Sequence, residues 1–289
     1  MERRTFLKSS AVSAAPAAQT ANPGLVTSSV MLWTLKGSFE QKLETAAKAG
    51  LQSVELVGEH GNWSDAEIAR VKKLARSLGV GMDTISSTPD WKRQPISMVD
   101  PAQRENLLRE VAKNIRFAEQ LEIPMLLLMS GDEMAGRSRE EQWKSLVEGA
   151  KRCGDLAAKA GVTLIVEPLN TKVNHKGYFL ATCVDGLALI KEADHPHVRL
   201  LFDIYHEQVQ VGDVIRTIRA AAPYTRVFHI ADNPGRNDPG TGEMNYANIY
   251  RAIRATGYKD YLTMEYLPLG DPVESLARAE KEMRAAMRA

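Results

Sequence analysis

At 289 residues, with 44% apolar and 25% charged side chains, the chain has the size and make-up of one large globular α/β domain. Its 37 basic and 36 acidic residues leave a net charge of +1, which gives no electrostatic footprint for nucleic acid or anionic lipid. No apolar run reaches membrane-spanning length, and Cys153 and Cys183 stand alone, without the paired spacing of a disulfide framework or a thiolate metal site.

The chain opens on Arg3-Arg4-Thr5-Phe6-Leu7-Lys8, which looks like a twin-arginine export signal: two arginines, a spacer, Phe-Leu, then lysine. A small-residue stretch follows, with a loose cleavage site at Ala18-Gln19-Thr20-Ala21. Ser9 to Ala21 is short, weakly hydrophobic and interrupted by Pro16, unlike a strong signal core, so a disordered alanine-rich tail is the plainer alternative. Residues 1–24 are therefore set apart as an export signal or tail, with a periplasmic or exported location expected, a cytoplasmic one otherwise, and no membrane segment left after processing. Residues 25–289 are taken as the folded domain.

Short apolar runs ended by polar or turn residues mark strands. The first four are Val30 to Trp33, Ser53 to Val57, Val80 to Ser86 and Met125 to Met129. Helical patterns separate them. Ser64 with Glu67 forms a capping box ahead of an Ile68, Val71, Leu74, Leu78 stripe that Gly79 closes. A second stripe runs from Leu107 to Leu121, and Ser138 with Glu141 caps a third that reaches Gly161. Thr182 and Asp185 open a fourth, and Asp213 to Ile218, Asn245 to Ile253 and Asp271 to Met283 complete the series. The irregular Ser87 to Pro101 after the third strand is either a lid or an inert surface excursion. Alternating strands and helices make a single-domain (β/α)8 TIM barrel the economical fold.

The last four strands share a further feature. Glu167 ends TLIVE, Asp203 ends VRLLFD, His229 interrupts VFHI, and Glu265 ends YLTME, at separations of 36, 26 and 36 residues. One strand–helix unit of such a barrel takes roughly 30 residues, so these side chains should cap successive strands at the catalytic end. Singly, each carboxylate reads equally well as a helix cap or ion-pair partner, and His229 as a hydrogen-bonded core histidine. Together they form a candidate metal site. Three carboxylates and one imidazole suit Mn²⁺, Mg²⁺ or Co²⁺, and the absence of cysteine argues against structural zinc. Such an ion would polarise a carbonyl and its adjacent hydroxyl while a carboxylate moves a proton between neighbouring carbons.

The motifs ADNPGRNDPGTGEMNY, FDIYHEQ, VEPLNTKVNHKGYFL and MEYLP, spread over residues 30–289, resemble the sugar isomerase/epimerase superfamily with the xylose isomerase-like barrel. The likeness is particular to its hydroxypyruvate isomerases. It implies that Glu167 and Glu265 are paired proton-transfer residues. Similarity to metal-dependent ketose epimerases implies Glu167, Asp203, His229 and Glu265 as metal ligands, with His206 and Arg236 against substrate oxygens.

An arginine at 236 suits a substrate carboxylate, or alternatively pins its own glycine-rich loop. For His206 the alternative is a loop histidine bonded to backbone. Glu243 is expected to brace the loop; Glu55 faces the same rim and either forms a structural ion pair or contacts substrate or the groups behind the ligands; Lys172 and His175 either are solvated or approach substrate. Gly240-Thr241-Gly242 lacks the context of a dinucleotide fingerprint, so no NAD site is expected.

The expected activity interconverts hydroxypyruvate and 2-hydroxy-3-oxopropanoate (tartronate semialdehyde), or a related small sugar or sugar acid. Ketose epimerisation is the alternative within the class, although the superfamily's 3-epimerases carry a further glutamate and nothing acidic lies between Glu167 and Tyr178. Outside the class stand an exported sugar-binding barrel without catalysis and an abasic-site endonuclease. The second would need several more histidine ligands than six histidines readily supply. The oligomeric state is left open.

Overall fold

The computed structural model describes residues 26–87 and 96–288. The Arg3-Arg4 segment and the middle of the Ser87–Pro101 excursion lie outside them. Eight strands run β1 (Thr27–Met31), β2 (Ser53–Leu56), β3 (Gly81–Ser86), β4 (Met125–Leu128), β5 (Thr163–Val166), β6 (Val198–Asp203), β7 (Thr225–Ile230) and β8 (Tyr261–Met264). All pair in parallel, each with its sequence neighbour, and β1 closes on β8. The fold is a TIM barrel.

The helices are α1 (Phe39–Lys48), α2 (Asp65–Leu78), α3 (Arg104–Leu121), α4 (Arg139–Ala160), α5 (Cys183–Ala193), α6 (Ile204–Gln210), α7 (Val214–Ala221), α8 (Tyr246–Ala255) and α9 (Pro272–Arg288). Capping boxes at Ser64 with Glu67 and at Ser138 with Glu141 begin α2 and α4 as the sequence indicates, and Thr182 caps α5. Gly79 and Gly161 end α2 and α4 at φ 68° and 69°, a left-handed conformation that a side chain would oppose.

Three boundaries differ from expectation. The first strand ends at Met31, because Leu32–Thr34 turns into a single 3₁₀ turn and lifts Trp33 to the barrel rim. Helix α1, begun by a Ser38/Gln41 capping box, is short, buries Leu43 and Ala46, and is not among the helices named from the sequence. Helix α6 starts directly after β6, with Asp203 as its N-cap, so His206 sits in a helix rather than a loop.

Alternation along each strand divides the interior in two. Leu164, Val166, Leu200, Phe202, Phe228, Leu262 and Met264 face outward into the main core beneath the helices. Met31, Met125, Leu127, Ile165, Leu201 and Val227 form a smaller cluster inside the barrel. Two residues beyond Ile165, Leu201 and Val227 come Glu167, Asp203 and His229. The same parity that buries those three apolar side chains therefore aims these polar ones inward at the C-terminal end.

Candidate active site

Register sets the site's lateral geometry: Asp203 pairs with His229, and His229 with Thr263, two residues before Glu265. Each of Glu167, Asp203, His229 and Glu265 offers a ligand atom, and these four atoms lie within 4.8 Å of one another. His229 Nδ1 is 2.6 Å from Glu265 Oε2, 3.4 Å from Glu167 Oε1 and 3.9 Å from Asp203 Oδ2. All four residues are buried. The expected convergence of the four strand ends is thus present.

Charge here is unbalanced. Burial pushes Glu167 up to about 7, and it pushes Asp203 up to about 6 against the pull of Arg236. Burial also acts on Glu265, but Arg236 and His229 outweigh it and hold this carboxyl well below the usual range. For His229, burial opposes protonation and loses to the charges of Glu55 and Glu265, so the ring is held well above its ordinary value. Arg236 and His229 compensate Glu265, and Arg236 part of Asp203, which leaves Glu167 the least balanced of the three; a buried carboxylate so placed is costly unless a cation joins it.

The side chains fit such a cation. Glu167 Oε1, His229 Nδ1 and Glu265 Oε2 are buried and crowd one another at 2.6 and 3.4 Å from the ring nitrogen without a well-directed hydrogen bond, and no other group satisfies them. On its far side the imidazole is already anchored, with Nε2 3.0 Å from Glu55 Oε2. Thr263 Oγ1 donates to the other oxygen of Glu55 at 2.8 Å. A carboxylate behind the ring is the usual way to leave the opposite nitrogen free as a ligand. Glu55 therefore does form an ion pair, and its partner is a candidate ligand.

Arg236 and His206 complete the polar wall. Arg236 Nη2 lies 2.7 Å from Glu265 Oε1 and 3.1 Å from Asp203 Oδ2. Its guanidinium sits between Trp33 and Tyr205, 5.3 Å from each ring centre. The arginine has φ 55°, and its carbonyl accepts from the Leu267 N–H at 2.8 Å, which ties the loops after β7 and β8 together. His206 receives its own backbone cap from Asp203 Oδ1 at 2.8 Å, while its Nε2 is buried without a hydrogen-bond partner.

The loop after β7 is organised by a residue that sequence reading passed over. Asp232 accepts from the N–H groups of Asn233, Gly240 and Met244 at 2.9, 2.7 and 3.2 Å. Gly242 is required there, since a Cβ would stand 2.3 Å from the Asn233 carbonyl oxygen. Glu243 braces this loop by accepting from Asn233 Nδ2 at 2.7 Å, as expected. Lys172 is exposed, whereas His175 lines the cavity, the other of the two readings its position allowed.

Above the cluster opens a cavity of about 340 Å³, apolar on the β1–β4 side (Met31, Val57, Leu127, Met129) and polar on the β5–β8 side. Trp33 was also missed as a site residue; its Nε1 donates to Glu265 Oε1 at 2.8 Å. An aromatic residue at the end of a strand was its only sequence signal. Tyr178 donates to the Glu167 carbonyl oxygen at 3.0 Å and accepts from the Ser130 N–H at 2.8 Å, which fixes the backbone that carries the glutamate.

Comparison with known proteins agrees with this geometry. A family profile described as "Xylose isomerase-like TIM barrel" matches residues 43–288. Hydroxypyruvate isomerase of Escherichia coli (strain K12) is 29% identical over 80% of this chain and 88% of its own. A 2-oxo-tetronate isomerase of Cupriavidus necator is 25% identical over 80% of this chain and 88% of its own. Among solved structures, an AP endonuclease of family 2 from Brucella melitensis superposes with a TM-score of 0.78 at 26% identity, covering 89% of this chain and 98% of its own.

Proposed function

The chain belongs to the xylose isomerase-like TIM barrel family, and on that premise we propose that it isomerises a short hydroxy-2-oxo acid, hydroxypyruvate or a close relative. The observation that carries this reading is the meeting of Glu167, Asp203, His229 and Glu265 at the floor of one small cavity. Relatives named for hydroxypyruvate and 2-oxo-tetronate isomerisation support the substrate class.

Glu167, Asp203, His229 and Glu265 would hold a divalent ion such as Mn²⁺, Mg²⁺ or Co²⁺, whose Lewis acidity would polarise the substrate's carbonyl and neighbouring hydroxyl. The chain's own residues do the rest. Glu167 and Glu265 are the proton-transfer pair. A proton leaves the hydroxymethyl carbon of hydroxypyruvate for a glutamate, the hydroxyl proton passes to the former ketone oxygen, and a proton is delivered to the former ketone carbon. An enediol lies between, and 2-hydroxy-3-oxopropanoate is the product, with atoms and charge conserved. Arg236 and Trp33 both bond Glu265 Oε1 and orient it. His206 and Arg236 are placed to meet substrate oxygens.

Turnover of hydroxypyruvate in D₂O tests this reading. Deuterium is expected in the product at the carbon that receives the proton, and its absence together with no change of substrate rejects isomerisation. Epimerisation of a ketose by the same pair is the second reading, and products resolved on a chiral column separate the two. A nuclease is disfavoured because, among the described residues, only one cluster of metal-capable side chains exists. Thermal stabilisation by these acids without turnover would leave a binding protein. We also read Arg3-Arg4 as an address for export, which cell fractionation would check.

A further inference from the structure

We propose that Asn170 locks His206 as its Nε2–H tautomer, so that this ring meets a ligand oxygen only as a hydrogen-bond donor. The inference deepens the isomerase reading by giving Asn170 a positioning role, and its first test does not depend on that reading.

The assignment follows from backbone donors. Asn170 is buried in the loop after β5, and its Oδ1 accepts from the N–H groups of Val173 and Asn174 at 3.0 and 3.1 Å. Those two donors fix which end of the amide is oxygen. Its Nδ2 is then the atom 2.6 Å from His206 Nδ1, and it also donates to Asn174 Oδ1 at 2.9 Å. Both donors and both acceptor sites of the amide are in use, so it has no second orientation.

The Asn170 backbone N–H also points at His206 Nδ1, at 3.0 Å. A backbone N–H can only donate, so Nδ1 carries no proton. An imidazolium would set a hydrogen against that donor, and the ring is therefore neutral with its proton on Nε2. Nε2 is buried, has no hydrogen-bond partner, and belongs to a residue that lines the cavity. The carboxylate oxygen Asp203 Oδ2 is 3.7 Å away, beyond hydrogen-bond reach. A buried donor of fixed direction at the cavity wall is built for a carbonyl, alkoxide or enediolate oxygen.

Long-range ¹⁵N–¹H correlation on the full chain, labelled at histidine and assigned by comparison with His206→Gln, reads the tautomer directly. The expected spectrum at neutral pH shows His206 protonated at Nε2 alone. An Nδ1–H or mixed spectrum in the unaltered protein overturns the proposal with no variant needed. Asn170→Asp keeps an oxygen for Val173 and Asn174 but sets a second oxygen against Nδ1, so it should draw a proton there. Its kcat on hydroxypyruvate should fall about a hundredfold with KM little changed, as for loss of one preorganised donor. A tautomer unchanged in Asn170→Asp would leave the lock to the backbone N–H alone and overturn the positioning role of the Asn170 side chain. If no hydroxy-2-oxo acid is turned over at all, the isomerase reading fails while the spectrum still decides the tautomer.

Discussion

Glu55 and His229, 174 residues apart in sequence, meet at 3.0 Å inside the barrel, carboxylate against Nε2. The contact leaves Nδ1 facing the other three carboxylates and makes Glu55 a support for the proposed cation site. Glu55→Gln keeps an acceptor but loses the charge, and should weaken divalent-ion affinity about tenfold; Glu55→Leu should cost about a hundredfold. Calorimetric titration with Mn²⁺ measures both, and unchanged affinity in the leucine variant would make the pair purely structural.

Glu167→Gln and Glu265→Gln each remove one member of the proposed proton-transfer pair while preserving shape. Each should lower kcat by about 10²–10⁴-fold, the range for loss of a positioned acid–base group. Circular dichroism and thermal melting should stay close to those of the parent. Activity retained in either variant would take that residue out of the chemistry.

Much of this site was legible in the sequence because the two periodicities of a barrel are visible there. Strands of period two carry Ile165 and Glu167, Leu201 and Asp203, and Val227 and His229 on one face. Repeat spacing then brings those faces to the same rim. Trp33, Asn170 and Asp232 were not legible, since each acts through a loop geometry that no periodicity encodes. The role of Glu55 was hidden for another reason: its partner lies across the barrel, and nothing in SVEL names it. Likewise, helix α6 is too short for a stripe, so His206 read as a loop residue.

Asp83 makes stability depend on pH. It is buried inside the barrel with Ser29 Oγ donating to it at 2.6 Å, and burial, followed by the charge of Glu55, pushes its carboxyl up to about 8. The unfolded chain loses this proton near its ordinary value of about 3.9. Between those values the folded state binds more protons, so the stabilisation is full below about pH 4 and is lost as pH rises through about 8. Asp83→Asn should narrow the difference between urea midpoints at about pH 5 and about pH 9. An identical pH dependence in the variant would remove Asp83 as its source.

Tyr178→Phe removes the hydroxyl that serves both the Ser130 N–H and the Glu167 carbonyl. Leaving those buried groups without this partner should cost about 1–3 kcal/mol in denaturant-derived stability. A variant as stable as the parent would show that the backbone behind Glu167 is held by other contacts.

The central claim is that one divalent cation binds among Glu167, Asp203, His229 and Glu265. Anomalous diffraction from crystals grown with Mn²⁺ tests it most directly. The account predicts one peak per chain, bounded by those four side chains, with His229 ligating through Nδ1. Two or more peaks at this site, or a peak that leaves His229 bonded only to Glu55, would contradict it.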